Sequence, residues 1–169
     1  MTLDELKKFC ADEDDPRFYL HVPCTRGEYT YATNGHLLIR APKIDGVAEN
    51  EKFPDMDVVF AKAGNAGGYL PVPEMKMPEP KECDRCDGTG EHECTCGDEH
   101  GCHYCDGTGK VPNTDAVSIG GTFFAKRYIA AIQGWEISAS LDRTKAAWIR
   151  NGDLLGLLMP MRDGPWEQT

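Results

Sequence analysis

The sequence predicts an α+β domain made of two similar halves, each a helix followed by a three-stranded meander, with a cysteine-rich insertion between them. Three observations predict it. Helical apolar spacing opens near residues 2 and 124, alternating strands separated by turn signals follow each helix, and a doubled cysteine motif fills 81–110. The scaffold is thus expected over 1–80 and 111–169, and the insertion over 81–110. The two halves share an element order without an evident sequence repeat.

Thr2-Leu-Asp-Glu5 is a capping box: the Thr hydroxyl and the Glu carboxylate satisfy two free backbone N–H groups at a helix start. Leu3, Leu6 and Cys10 then share one face with Phe9 beside it, and the helix is expected to run towards the acidic residues before Pro16. Strands are expected at 18–22, 28–33 and 36–40, the last two joined by Asn34-Gly35, a strong hairpin signal. His21 and His36 fall in those strands and read as structural. The 64–68 stretch, Gly64-Asn-Ala-Gly-Gly68, lacks phosphate-loop spacing and reads as a loop. Pro71, Pro73, Pro78 and Pro80 read as a stiff approach to the insertion.

Beyond the insertion, a strand is expected at 116–120 and a helix over about 124–133, stopped by Gly134. Phe124, Tyr128, Ile129 and Ile132 supply its core face, and Lys126 and Arg127 project elsewhere. Ile137, Ala139 and Leu141 alternate with polar residues. Turns at 142–144 and 151–153 then set strands at 145–150 and 154–159.

Within the insertion, Cys83-Asp-Arg-Cys86-Asp-Gly-Thr-Gly90 recurs as Cys102-His-Tyr-Cys105-Asp-Gly-Thr-Gly109. The 15 residues between Cys86 and Cys102 match the spacing of a four-thiolate zinc site. Each Cys-x-x-Cys turn brings two sulfurs to one ion, and the glycines permit the positive φ of a tight knuckle. Zinc at Cys83, Cys86, Cys102 and Cys105 is therefore expected, with an iron–sulfur centre as the rival metal and disulfides or free thiols as the metal-free readings. Four thiolates close the coordination shell, so the ion is structural rather than catalytic. His92, Cys94, Cys96 and His100 form a candidate second site, with His103 as a substitute ligand; the alternative is a solvated loop. The repeat resembles the cysteine-rich zinc domain of the J-domain co-chaperones, Cys-x-x-Cys-x-Gly-x-Gly. It has two clean copies where that family has four, and the chain has no His-Pro-Asp signature.

The chain of 169 residues has a net charge of −10, and residues 81–110 hold half of it, with eight acids and three bases. That balance opposes a general nucleic-acid coat but leaves room for a local basic face. The charged Met1–Lys8 stretch has no apolar signal region, and no apolar run is long enough for a membrane. A cytoplasmic setting with reduced thiols is therefore expected. Cys10 and Cys24 read as small buried residues.

Four segments, in order, resemble a domain of the bacterial replicative sliding clamp, the DNA polymerase III beta subunit. They are Tyr31-Ala-Thr-Asn-Gly-His36, Lys52-Phe-Pro-Asp-Met-Asp-Val-Val-Phe60, Phe124-Ala-Lys-Arg-Tyr-Ile-Ala-Ala-Ile132 and Leu158-Met-Pro-Met-Arg162. Asn34 stands where the family has Asp, and Leu37 where it has Arg. The family has several domains per chain, and this chain has room for one. The resemblance implies helices facing DNA, with Lys7, Lys8, Lys126 and Arg127 as backbone contacts. It also implies an apolar peptide-binding surface at Leu158, Met159, Pro160 and Met161, whose plain alternative is a final core strand. A replication or repair protein is the implied partner, and a ring would require a homo-oligomer. The small hybrid architecture suggests a phage or mobile element. No catalytic constellation emerges, so a non-enzymatic role is expected. A zinc-dependent protein adaptor without DNA binding is the alternative, followed by a thiol oxidoreductase using Cys-x-x-Cys.

Overall fold

The computed structural model describes residues 1–64, 66–93, 99–140 and 142–161. It is a mixed α+β structure around one antiparallel sheet. The first half is α1 (Leu3–Lys7), β1 (Cys24–Arg26), β2 (Tyr29–Thr33) and β3 (Leu37–Pro42). Next come α2 (Met56–Ala63) and β4 (Leu70–Pro71). The insertion holds β5 (Lys81–Glu82), β6 (Glu91–Glu93), β7 (Glu99–Gly101) and β8 (Lys110–Val111). The second half is β9 (Ala116–Ile119), β10 (Thr122–Ala125), α3 (Lys126–Ala131), β11 (Glu136–Ser138), β12 (Ala147–Asn151) and β13 (Leu154–Leu158).

The main sheet has seven strands in the order β1-β2-β3-β13-β12-β11-β4. Its two meanders meet where β3 pairs with β13, and Leu37 lies opposite Leu158. Gly156 sits in this seam. A Cβ there would lie 2.3 Å from the Leu38 carbonyl oxygen and 3.0 Å from Ile149 Cγ1, so only glycine lets the halves approach this closely. Strand alternation feeds two cores. Ile39, Ile149 and Leu158 point to one face, where Leu6 and Phe9 of the first half join Ile129 and Ile132 of the second. Tyr31, Leu38 and Leu157 point to the other, beneath Phe53, Met56 and Ala63. Thus α1 and α3 cover one face, and α2 covers the other.

Several expectations need correction. The capping box is present, with Thr2 N donating to Glu5 Oε2 at 2.7 Å, but α1 ends at Lys7. Tight turns follow it, with Phe9 N reaching Leu6 O and Cys10 N reaching Lys7 O. The expected strand at 18–22 is a 3-10 turn over Phe18–Leu20 followed by irregular chain. Its residues do not alternate against a core: Leu20 is buried, while Phe18 and Val22 on either side are exposed. Consequently His21 lies just after that turn, with Nε2 2.7 Å from the Asp15 carbonyl oxygen. His36 lies in the β2–β3 turn rather than in a strand, stacked on Tyr128.

The helix expected over 124–133 is shorter because Phe124 and Ala125 pair with Val117 and Ala116 in a β9–β10 hairpin. Gly120 and Gly121, at φ +60° and +82°, make its two-residue turn. The strand expected from 145 starts at Ala147. The helix α2 has no counterpart in the sequence reading. Asp55 caps it, accepting from Asp57 N at 3.0 Å, and Gly64 at φ +76° ends it. Asn65 of the loop 64–68 and Leu141 of the β11 alternation lie outside the described residues.

Both sheet edges are blunted. On β1, Thr25 N donates outward to the Ala48 carbonyl at 3.0 Å. On the far side, β4 has two residues, one of them Pro71, which lacks a donor.

Candidate metal centre

The insertion leaves and rejoins the scaffold through one short ladder, in which Lys81 lies opposite Val111 and Glu82 opposite Lys110. Above it the two Cys-x-x-Cys copies fold alike. Cys86 N and Gly88 N donate to the Cys83 carbonyl at 3.3 and 3.0 Å, and Thr89 N donates to Cys86 O at 2.9 Å. Cys105, Gly107 and Thr108 repeat the same three bonds at the same distances. Each turn carries its Asp and both glycines at positive φ, with Asp87 and Asp106 both at 48°. The Thr hydroxyls secure the turns, lying 2.6 Å from the Cys86 and Cys105 carbonyls.

The copies also hold each other. Cys83 N donates to Gly109 O at 2.9 Å, and Cys102 N to Gly90 O at 2.7 Å. A Cβ on Gly90 would fall 2.2 Å from the Gly107 oxygen, and one on Gly109 2.1 Å from the Gly88 oxygen. Glycine is therefore required twice at each of these positions, by φ and by the facing backbone.

This interlock gathers four sulfurs. Cys83 and Cys102 Sγ are 3.9 Å apart, Cys86 and Cys105 Sγ 3.8 Å, and all four lie within 4.8 Å of one another. A tetrahedral ion bonded to sulfur at about 2.3 Å requires sulfurs about 3.8 Å apart. A disulfide requires about 2.05 Å, so none links these pairs. The four side chains are between 0 and 6 % exposed and form a small core of their own, with Val111 against it. Gly90 and Gly109 N–H groups donate to Cys86 and Cys105 Sγ, each at 3.2 Å, which favours thiolate. Burial raises the Cys102 thiol to about 11. At Cys86 burial is outweighed by the Gly90 N–H and the neighbouring thiols, and its pKa falls to about 7. A cation at the centre lets all four ionise together. The four cysteines are close enough together to hold one metal ion.

The other expected ligands are divided. His92 and His100 lie directly opposite one another in the β6–β7 ladder. Cys94 and Cys96 lie outside the described residues. Cys24 is buried and Cys10 is partly buried; burial pushes the Cys10 thiol up to about 11. No described helix is long and apolar enough to cross a membrane.

The expected cations do not form one free face. Lys7 pairs with Asp4 at 3.5 Å. Asp115 takes both Lys81 of the insertion stem, at 2.6 Å, and Lys126, at 3.6 Å, tying the stem to α3. Arg127 lies over the Tyr128 ring and donates to its hydroxyl at 3.0 Å, and its Nε is buried without an acceptor. Arg127 and Lys8 line a groove of about 680 Å³ that also carries Asp12, Asp14 and Asp15. The expected peptide segment meets Arg127 as well. Met159, Pro160 and Met161 line a groove of about 470 Å³ with His36, Arg127 and Tyr128. Burial and the charges of Arg127 and Arg17 hold the His36 imidazole below its usual pKa. Leu158 is fully buried in the sheet core, and Arg162 lies outside the described residues.

The reciprocal hold of Gly90 and Gly109 was not singled out by sequence reasoning, although the repeat places both glycines at the same position. No family model, curated protein or solved structure matches the chain.

Proposed function

We propose that the protein is a non-enzymatic, sliding-clamp-like accessory protein of DNA replication or repair, with a zinc-stabilised arm. The observation that carries this reading is the joining of two helix-plus-meander halves into one sheet, with both helices on the same face. The clamp-like segments at 31–36, 124–132 and 158–161 all belong to that frame. Zinc is favoured over an iron–sulfur cluster because four sulfurs within 4.8 Å of one another enclose room for one tetrahedral ion and not for a cluster of several irons and sulfides. A second zinc at His92, Cys94, Cys96 and His100 is the extension of this reading. Lys7, Lys8, Lys126 and Arg127 would give weak, salt-dependent contacts to phosphates.

Two observations favour the adaptor reading over an autonomous ring. Blunted edges disfavour strand-to-strand closure between copies. The groove at Met159–Met161 pairs adaptable apolar side chains with Arg127, a combination suited to a peptide. Buried sulfurs in a closed cluster count against the oxidoreductase reading, which needs an accessible thiolate.

Native mass spectrometry of metal-replete protein tests the proposal. A closed ring carrying one or two zinc ions per chain, retained on DNA, is the clamp outcome. A zinc-bound monomer that captures a replication or repair protein and not DNA supports the adaptor. An iron mass, or no metal, rejects the zinc arm.

A further inference from the structure

The sheet face opposite α1 and α3 carries a row of directly opposed residues, from Tyr31 through Arg40, Leu155 and Arg150 to Glu136. The helix α2 packs beside this row, on Leu38 and Leu157. Arg40 lies over two rings, its Cζ 4.4 Å from the Tyr29 centroid and 5.1 Å from that of Phe60. Its guanidinium makes no hydrogen bond or ion pair among the described residues. Arg150 lies over Tyr69 at 4.0 Å and gives its Nε to Glu136 at 2.7 Å. Arg26, opposite Tyr29 and two residues along from Cys24, adds a third guanidinium on the same side. Tyr29 is 40 % exposed.

A guanidinium held over a ring is ordered before any ligand arrives, so little rotamer entropy remains to be lost. Arg40, with two rings about it, offers its unused N–H groups to phosphate or base edges, while Arg150 and the exposed Tyr29 ring offer faces on which a base stacks. Arg40 and Arg150 stand two strands apart, about 10 Å. The acids acting here are Glu136, already paired with Arg150, Asp57 at the start of α2, and Glu49 near Cys24. Half of the chain's net negative charge lies in 81–110, which contributes none of these residues.

We propose that this face binds single-stranded nucleic acid, DNA or RNA, over about four nucleotides. Duplex is disfavoured because its bases are already stacked on each other and cannot reach these plates. The site is separate from the phosphate contacts assigned to α1 and α3, so either can fail alone.

The test is fluorescence anisotropy of labelled dT12, rU12 and a 12-base-pair duplex with the zinc-loaded full chain, at about 50 mM salt. Both single strands, or one of them, should bind more tightly than duplex. The slope of log K against log salt should be about −1.4, for two arginines. Arg40→Gln and Arg150→Gln should each weaken binding roughly tenfold. Amide shifts in the wild-type protein keep the test independent of variant folding, and they should centre on Tyr29, Arg40 and Arg150. No single-strand binding, a preference for duplex, or shifts confined to α1 and α3 would overturn the proposal. Loss in Lys126→Ala/Arg127→Ala with no loss in Arg40→Gln would move the contact to the helix face.

Discussion

Gly90 and Gly109 are the residues on which the four-sulfur cluster depends most, although neither offers a ligand atom. Each faces the backbone of the other copy at a distance no Cβ can occupy, and their φ values of +82° and +70° are ones at which side chains are strained. Gly90→Ala should therefore weaken metal retention by ten- to hundredfold, the equivalent of about 1–3 kcal/mol of strain. Competition with a chromogenic chelator reads this out, and unchanged affinity would mean that the interlock is slack. Gly88 and Gly107 are different: a Cβ on Gly88 meets only the flexible Glu82 side chain, at 3.5 Å. The repeat alone ranks all four glycines equally. The facing oxygens rank them.

At the scale of elements, the seam between β3 and β13 carries the union of the two halves. Gly156→Ala would press a methyl group against the Leu38 carbonyl and Ile149, with about 1–3 kcal/mol of destabilisation expected from overpacking. Thermal or urea unfolding measures it, and an unchanged midpoint would show that the seam can yield. The seam strands were legible because Leu37–Ile39 and Leu154–Leu158 are framed by Asn-Gly and Asn-Gly-Asp turns. The stretch at 18–22 misled because Phe18, Leu20 and Val22 mimic a two-residue period that the core uses only at Leu20. The β9–β10 hairpin was hidden by an apolar run, 123–125, that suits a strand or a helix equally. Gly120-Gly121 was the turn signal that decided it. The helix α2 was readable from Asp55, the 56, 59, 60 and 63 spacing and Gly64, but its stripe is short and partly exposed.

At the scale of the whole molecule, the cysteine cluster is a core separate from the two cores of the sheet. So few buried side chains cannot hold 81–110 in place unaided, and the metal is expected to supply the missing stability. Cys83→Ser with Cys102→Ser, or prolonged chelation, should collapse amide dispersion in 81–110 and leave the sheet resonances near their original positions. Heteronuclear NMR distinguishes this from a single cooperative unfolding, which would contradict an independent arm. The same separation explains what the sequence could convey. A ligand set fixed by local spacing was visible from the four cysteines alone. The meeting of Arg127 with Met159–Met161, or of Arg40 with Tyr29 and Phe60, depends on strand register and helix placement that no local motif encodes.

The chain enters and leaves the arm through Lys81–Glu82 and Lys110–Val111, two antiparallel neighbours. Seen from the sheet, everything between them is equivalent to a hairpin bend. An arm of another size or chemistry could stand there without changing the path of a single scaffold strand. Replacing 83–109 by a plain two-residue turn should therefore leave the sheet's amide resonances near their original positions.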